Sequence, residues 1–431
     1  MSYYADLHIH SPYTEGASPL MSFRTIEQVA LKKGIAVMGT GDCFHPVWAE
    51  RIEDMEEDLD SGLLVYKDKR VQFLPTVEVS CIFGKKRIHV LLIFKNMRIA
   101  WRVQKKLKGN ADPGGRPALY MTVSQLMDEV KGDFEETIVV FAHLLHPQFG
   151  AMGHGNRYDE TGEVSEILPD AIETGISADV GMIRGMKGLD KIGMGLVSFS
   201  DAYSPESIGR EVTEFYQGGP SWESIRNGII KRQIDTIEYP PPLGKFFYSG
   251  HRKCGYSTGV EGVALCPVCR KRITMGVEQR LSDLEAAPWA LKERYMVPLK
   301  KLIELSGLED VELVYEDVLK KSPYQEIDLL INSSYCGMKV GNPLIDVMEQ
   351  VRSRQIGIIP GYDGQEGKLV DMRKLLNEKM ERANLLFESD VDHTALWKKA
   401  ERIQELMMSG NMTVTKAEHE ELLSRGVPEP L

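Results

Sequence analysis

The chain has 431 residues, of which 42% are hydrophobic and 27% charged, and its formal net charge is −11 at pH 7. This length favours two or three globular domains. No stretch approaches the ~18 apolar residues of a membrane span and no signal peptide is recognised, so a cytoplasmic protein without a membrane partner is expected. Six cysteines, three of them clustered, suit a reducing compartment better than a disulfide framework.

The first predicted strand carries two histidines, His8 and His10, whose side chains share one face because strand residues alternate. Other imidazole and carboxylate groups end or interrupt later apolar runs: Asp42, His45, Glu78, His89, His143 and Asp201. Such ligands suit Zn²⁺, Mn²⁺ or Fe²⁺, and two or three ions together can activate water and hold a phosphate. The sequence therefore predicts a multinuclear centre held by these eight residues, with Glu78, His143 and Asp201 as its catalytic members.

Other polar residues near these strand ends are ambiguous. Glu173 follows a short apolar run and either joins the centre or pairs with a neighbouring base. His146 and His154 fit a site and a loop equally well.

A second metal pattern follows the proline-rich segment 239–244, which is expected to be a linker. His251, Cys254, Cys266 and Cys269 have the spacing His-x₂-Cys-x₁₁-Cys-x₂-Cys. A Cys-x-x-Cys turn presents two thiolates to one Zn²⁺. The zinc would be structural, because so short a module buries little core. His251 is the chosen fourth ligand, although it could instead be a surface residue.

Positive charge is concentrated locally despite the acidic total. Between Glu78 and Asp112 the chain has lysines and arginines but no acidic residue, and the cysteine module is also basic. Because phosphate binding depends on local patches, DNA contacts are predicted at Lys85, Lys86, Arg87, Arg252, Lys253 and Arg270. The alternative is a solvated basic helix.

The order of these motifs resembles the polymerase and histidinol phosphatase (PHP) superfamily, and most closely its endonuclease Q family. The similarity spans roughly residues 1–366 and rests on Asp6-Leu7-His8-Ile9-His10-Ser11, Gly39-Thr40-Gly41-Asp42, Glu78-Val79-Ser80-Cys81, Ser200-Asp201-Ala202, the cysteine module and Pro360-Gly361-Tyr362-Asp363-Gly364. It implies an α/β fold: a distorted (β/α)₇ barrel with a two- or three-metal centre, a small zinc-binding module and a helical C-terminal region.

The same resemblance implies a DNA repair endonuclease that cuts on the 5′ side of deaminated bases (uracil, hypoxanthine, xanthine) or abasic sites. Damaged DNA would be the partner and the nucleoid the location, with Mg²⁺ or Mn²⁺ as possible activators besides Zn²⁺. A sliding clamp is a conceivable protein partner that no motif reveals. Two other functions stay open: a PHP phosphatase of a small phosphorylated metabolite, and a non-catalytic DNA-binding protein.

Four regions are expected along the chain. Residues 1–238 alternate apolar runs and amphipathic segments, as βα repeats do, with a helix over Phe23–Lys33. The zinc-binding module covers 245–285. Residues 286–366 form a helical nucleic-acid-binding region with helices over 298–305 and 343–354, and 367–431 form a helical extension.

Tyr203 departs from the family pattern, in which Ser-Asp-Ala is followed by histidine. Asp201 and Tyr203 share a strand face by their period of two, so Tyr203 is predicted to face the metals. Neutral tyrosine, with a pKa near ~10, is a poor ligand, so one metal position is expected to be weak or absent.

Overall fold

A computed structural model describes residues 2–107, 115–156, 169–187, 189, 194–216, 218–287, 294–332, 342–353 and 356–370. The described residues within Met1–Pro241, Arg280–Pro298 and Leu319–Cys336 form one compact unit, and those within Pro242–Gln279, Leu299–Val318 and Gly337–Leu431 form a second. No helix in these described ranges is long and apolar enough to cross a membrane.

Short strands alternate with helices along the chain. The strands are β1 (Tyr3–Asp6), β2 (Ile35–Gly39), β3 (Glu56–Glu57), β4 (Leu64–Val65), β5 (Gln72–Leu74), β6 (Thr76–Phe83), β7 (Lys86–Ile93), β8 (Ala118–Leu119), β9 (Ile138–Phe141), β10 (Ala171–Glu173), β11 (Gly195–Val197), β12 (Val212–Phe215), β13 (Ile234–Ile237), β14 (Ser249–His251), β15 (Tyr256–Thr258), β16 (Gly357–Ile359) and β17 (Lys368–Val370). The helices are α1 (Phe23–Lys33), α2 (Pro46–Glu53), α3 (Met97–Leu107), α4 (Val123–Asp133), α5 (Val180–Gly185), α6 (Trp222–Ile230), α7 (Val277–Asp283), α8 (Leu299–Ser306), α9 (Val311–Lys321), α10 (Glu326–Ile331) and α11 (Asn342–Arg352).

The first unit contains two mixed sheets. One has the strand order β13-β12-β1-β2-β5-β4-β3 and the other β11-β10-β9-β7-β6-β8. Beyond β1, Ile9 and Ala202 form a parallel bridge, and the His10 N–H donates to the Ala202 carbonyl at 2.9 Å. This bridge sets the end of the first strand beside the segment that leaves β11. The predicted α/β class is confirmed.

Apolar side chains from both sheets share one core. Leu7, Val37, Leu91, Val140 and Val197 are each at most 1% exposed and belong to the same buried cluster. The core holds the strands from which the predicted metal ligands project.

Local sequence signals define where helix α1 begins and ends. Ser22 caps its first turn by accepting the Thr25 N–H at 3.3 Å, and Gly34 ends it with a left-handed φ of 83°. Phe23, Ile26 and Ala30 fall on one buried face. The predicted helix has the same bounds as α1.

The second unit combines two hairpins with helices. Strands β14 and β15 pair antiparallel, as do β16 and β17, and α8 packs against α11. Helices α8 and α11 agree with those predicted over 298–305 and 343–354. Lys368–Val370 is a strand, because it pairs with Gly357–Ile359, and the helix predicted there is wrong. The rest of the predicted extension, 371–431, lies outside the described residues.

Candidate metal centre

Three of the predicted site residues have an unusual backbone conformation. Asp42, His143 and Asp201, which follow β2, β9 and β11, have φ values of 44°, 30° and 45°. Left-handed non-glycine residues cost about 1–3 kcal/mol and occur where the surrounding structure enforces them, often at functional sites. Next to His143, a Cβ on Gly175 would lie 2.6 Å from the histidine Cβ, so this packing needs glycine. With these conformations, His143 and Asp201 lie in the two ligand groups described below, and Asp42 lies beside His10.

One ligand group consists of His8, His10 and Asp201. Asp201 Oδ1 lies 3.2 Å from His10 Nε2 and 3.6 Å from His8 Nε2. Both rings are fully buried, and His8 Nε2 has no hydrogen-bond partner among the described residues. A buried imidazole nitrogen without a partner, facing a carboxylate, is suited to a metal ion.

A second group consists of Glu78, His89 and His143. Glu78 Oε1 lies 2.7 Å from His89 Nδ1 and 3.0 Å from His143 Nε2. The same carboxylate approaches the first group, with Oε1 3.7 Å from His8 Nε2 and Oε2 3.6 Å from His10 Nε2. Glu78 therefore belongs to the second group and also adjoins the first, a position in which one carboxylate can bind two neighbouring ions.

Two further carboxylates orient the histidines from behind. Both oxygens of Glu173 lie within 3.0 Å of His8 Nδ1, and Asp42 Oδ1 lies 3.3 Å from His10 Nδ1. Each partner favours the tautomer whose proton is on Nδ1 and whose Nε2 is free to bind metal. Of the two alternatives for Glu173, the structure shows pairing with a basic side chain, the imidazole of His8.

Asp42 and His45 lie outside both ligand groups. Asp42 Oδ2 accepts the Ser11 N–H, the Ser11 hydroxyl and the Thr14 hydroxyl at 2.7, 2.6 and 2.7 Å, so its lone pairs are largely used. The His45 ring stacks on Tyr13 with centroids 4.2 Å apart, at the start of α2. Their positions after an apolar run are equally compatible with metal ligands and with residues that position those ligands.

His146 lies beside the second group, with its ring centroid 5.0 Å from that of His143. Its Nδ1 accepts the N–H groups of Gln148 and Phe149 at 3.2 and 3.3 Å. The neutral ring therefore carries its proton on Nε2 and is a hydrogen-bond donor there.

The charges of the centre favour a bound cation. Burial alone would lower the pKa of His8, but Glu173 and Asp201 outweigh it and raise this pKa to about 10. For His10, Asp201 and Asp42 likewise overcome burial and raise the pKa to about 9. Without metal both imidazole rings are therefore in the protonated, cationic form at pH 7, and a bound metal ion would displace one proton from each ring.

Arg116, which no sequence motif marks, also belongs to the centre. Its Nη1 donates to Glu78 Oε2 and to the Tyr203 hydroxyl, each at 2.8 Å. The Tyr203 ring lies against His10 with centroids 4.3 Å apart. Tyr203 thus faces the centre, and its oxygen accepts from a guanidinium. An isolated arginine in an irregular Gly-Gly-Arg-Pro segment has no spacing that marks it.

The cysteine module brings its four predicted residues together. The ligand atoms of His251, Cys254, Cys266 and Cys269 all lie within 4.8 Å of one another. Desolvation would raise the pKa of the Cys266 thiol, but the N–H groups of Cys269 and Val268 outweigh it and lower the pKa to about 6. A thiolate among three further nitrogen and sulfur donors is a set that Zn²⁺ binds tetrahedrally.

The cations predicted to contact DNA lie at the surface in each unit. Lys85 and Arg87 are exposed at the β6–β7 turn and Lys86 is half-buried; Arg252, Lys253 and Arg270 are exposed around the cysteines. In the basic helix α3, Lys106 is paired with Glu129 and Asp133 at 2.9 and 2.6 Å. Part of that positive charge is therefore offset.

The comparisons with known proteins find distant relatives. No family model matches the chain. The uncharacterized protein YqxK of Bacillus subtilis is 27% identical over 306 residues, which are 65% of this chain and 76% of that protein. The uncharacterized protein MJ0043 of Methanocaldococcus jannaschii is 28% identical over 222 residues, 47% of this chain and 28% of that one.

Two solved structures match nearly the whole chain, each with a TM-score of 0.75 and 26% identity. Together with the two ligand groups, this likeness defines a metal-dependent phosphodiester hydrolase. The first structure is the lesion-specific endonuclease PfuEndoQ from Pyrococcus furiosus, matched over 90% of this chain and 100% of that chain. The second is endonuclease Q with a 27-mer duplex that has an abasic lesion at the active site, matched over 86% and 96%. The endonuclease Q resemblance inferred from sequence is confirmed.

Proposed function

We propose that this chain is a DNA repair endonuclease that hydrolyses the phosphodiester on the 5′ side of a deaminated base (uracil, hypoxanthine or xanthine) or of an abasic site. The observation that carries the proposal is the pair of three-ligand groups that meet at Glu78. The likeness to a lesion-specific endonuclease over the full length of that protein supports the lesion specificity.

The residues of the centre divide the work between holding metal and orienting ligands. His8, His10 and Asp201 would hold one ion, and Glu78, His89 and His143 a second. Bound Zn²⁺, Mn²⁺ or Mg²⁺ lowers the pKa of water and neutralises charge on the phosphate. The Asp201 side chain is 23% exposed whereas that of Glu78 is 1% exposed, so substrate would enter from the Asp201 side.

The second unit supports the same function. A structural zinc at His251, Cys254, Cys266 and Cys269 would stabilise the short hairpins around it. We extend the proposal to a closed PHP-type (β/α)₇ barrel over 1–238, a zinc-binding module over 245–285, a helical nucleic-acid-binding region over 286–366 and an extension over 367–431. The exposed cations of both units would bind phosphates, and a mispaired base would cost little to flip out.

The test is cleavage of end-labelled duplexes that carry a single uracil, hypoxanthine or abasic site, with Mn²⁺, Mg²⁺ or Zn²⁺. We expect cutting on the 5′ side of each lesion, loss of cutting with chelator, and no cutting of undamaged duplex. Glu78→Gln should be inactive. Arg70→Gln, which alters a 75% exposed side chain paired with Asp68, should cut normally.

Other outcomes would reject the proposal. Hydrolysis of nitrophenyl phosphate without cleavage of any lesion duplex would indicate a small-molecule phosphatase. Retention of lesion DNA in a gel-shift assay without cleavage, by protein with full metal content, would indicate a non-catalytic binding protein.

A further inference from the structure

Arg116 brings a permanent positive charge into the metal centre. Its side chain is only 18% exposed, and Nη1 donates to Glu78 Oε2 and to the Tyr203 hydroxyl at 2.8 Å each. A guanidinium is protonated at all accessible pH values. The group at this position is therefore a cation at every pH at which the protein is stable.

Arg116 Nη1 occupies the space between Glu78 and position 203, where a third metal ion would have to lie to bind both side chains. An ion bound by a carboxylate oxygen and a side chain at position 203 would lie about 2.0–2.2 Å from each donor atom. Nη1 already contacts both Glu78 Oε2 and the Tyr203 oxygen, so it fills the space between them. An ion at that point would meet both the guanidinium atoms and their charge.

Packing on both sides holds this arrangement. The Tyr203 ring lies 4.3 Å from the His10 ring, centroid to centroid. On the other side, a Cβ on Gly115 would lie 2.4 Å from Thr14 Oγ1, which itself donates to Asp42. The backbone that leads into Arg116 is thus packed against the hydrogen bonds that orient His10.

We propose that Arg116 and Tyr203 together replace one metal ion, so that the centre holds two ions and a fixed guanidinium. The two ions occupy the His8, His10, Asp201 group and the Glu78, His89, His143 group. The guanidinium supplies to a bound phosphodiester one positive charge where a third divalent ion would supply two; this last part rests on the proposed function.

The test is the number of Mn²⁺ ions bound, measured by equilibrium dialysis and calorimetry on full-length protein whose cysteine module is already loaded with zinc. Wild type should bind two Mn²⁺. The double variant Arg116→Gln/Tyr203→His removes the guanidinium, frees Glu78 Oε2 and supplies an imidazole, so it should bind three. Arg116→Lys keeps a cation there and should bind two, as should the surface control Arg70→Gln.

Three Mn²⁺ in wild type, or two in a folded double variant, would overturn the inference. If the double variant does not fold, the wild-type number decides alone. These counts need no DNA, so the proposed function can fail separately: two ions without lesion cleavage would reject the nuclease and leave this inference standing, whereas lesion cleavage with three ions would do the reverse.

Discussion

Glu173 provides a sharp test of how the centre is organised, because it touches metal ligands without being in either ligand group. Its oxygens lie 2.9 and 3.0 Å from His8 Nδ1, and Oε2 also accepts the His143 N–H at 2.9 Å. In Glu173→Gln one acceptor oxygen must serve two donors. An amide N–H₂ facing His8 Nδ1 is a donor, so Nδ1 would have to accept. The ring proton would then move to Nε2, the nitrogen that would bind the metal ion.

Loss of an orienting partner of this kind lowers metal affinity about 10- to 100-fold, or about 1.4 to 2.8 kcal/mol. We expect that loss for Mn²⁺ in Glu173→Gln, measured by competition with a chelator, with cleavage restored in part by excess Mn²⁺. Glu27→Gln is the matched control: Glu27 is 6% exposed and accepts the Lys67 and Asp68 N–H groups through Oε1, at 2.8 Å each, which glutamine can also do. Unchanged affinity in Glu173→Gln, or an equal loss in Glu27→Gln, would refute the reasoning.

Three further predictions concern metal and protons. Asp201→Asn should reduce lesion cleavage by more than about 100-fold, since a ligand matters more than its orienting partner, while gel shifts show retained DNA binding; near-normal cutting would remove Asp201 from the site. Cys266→Ser should lose about one zinc per chain by metal analysis and destabilise residues 245–280, whereas the buried Cys43→Ser should keep its zinc; unchanged zinc in Cys266→Ser would reject the structural site. Because the pKa values of His8 and His10 are raised to about 10 and about 9 without metal, both rings are protonated at pH 7, so Mn²⁺ binding should release protons and strengthen from pH 6 to 9; calorimetry in buffers of different ionisation enthalpy that shows no proton release would contradict this.

Local sequence patterns account for much of the fold. The bounds of α1 follow from a capping serine, a buried apolar face and a terminal glycine, which are all local signals. Lys368–Val370 shows the limit, because this strand of three residues is too short to show a period of its own and is defined by its pairing with Gly357–Ile359. Neighbour-dependent elements of this kind leave little trace in a single sequence.

The candidate site was predictable where imidazole and carboxylate groups end or interrupt apolar runs. Glu78, His89 and Asp201 were predicted because several such groups recur along the chain, and in the structure they lie in the two ligand groups. Asp42 illustrates what spacing cannot resolve, since its neighbours Ser11 and Thr14 use its oxygens and make it an orienting group. Arg116 could not be found, because only the three-dimensional path of its segment brings it to Glu78.

The most direct test of the account is single-turnover cleavage of two end-labelled duplexes that differ only by hypoxanthine in place of one adenine. With Mn²⁺ the account predicts one product, ending on the 5′ side of hypoxanthine, and an intact adenine duplex. Equal cutting of both duplexes, or no cutting by protein shown to hold its metal ions, would contradict it.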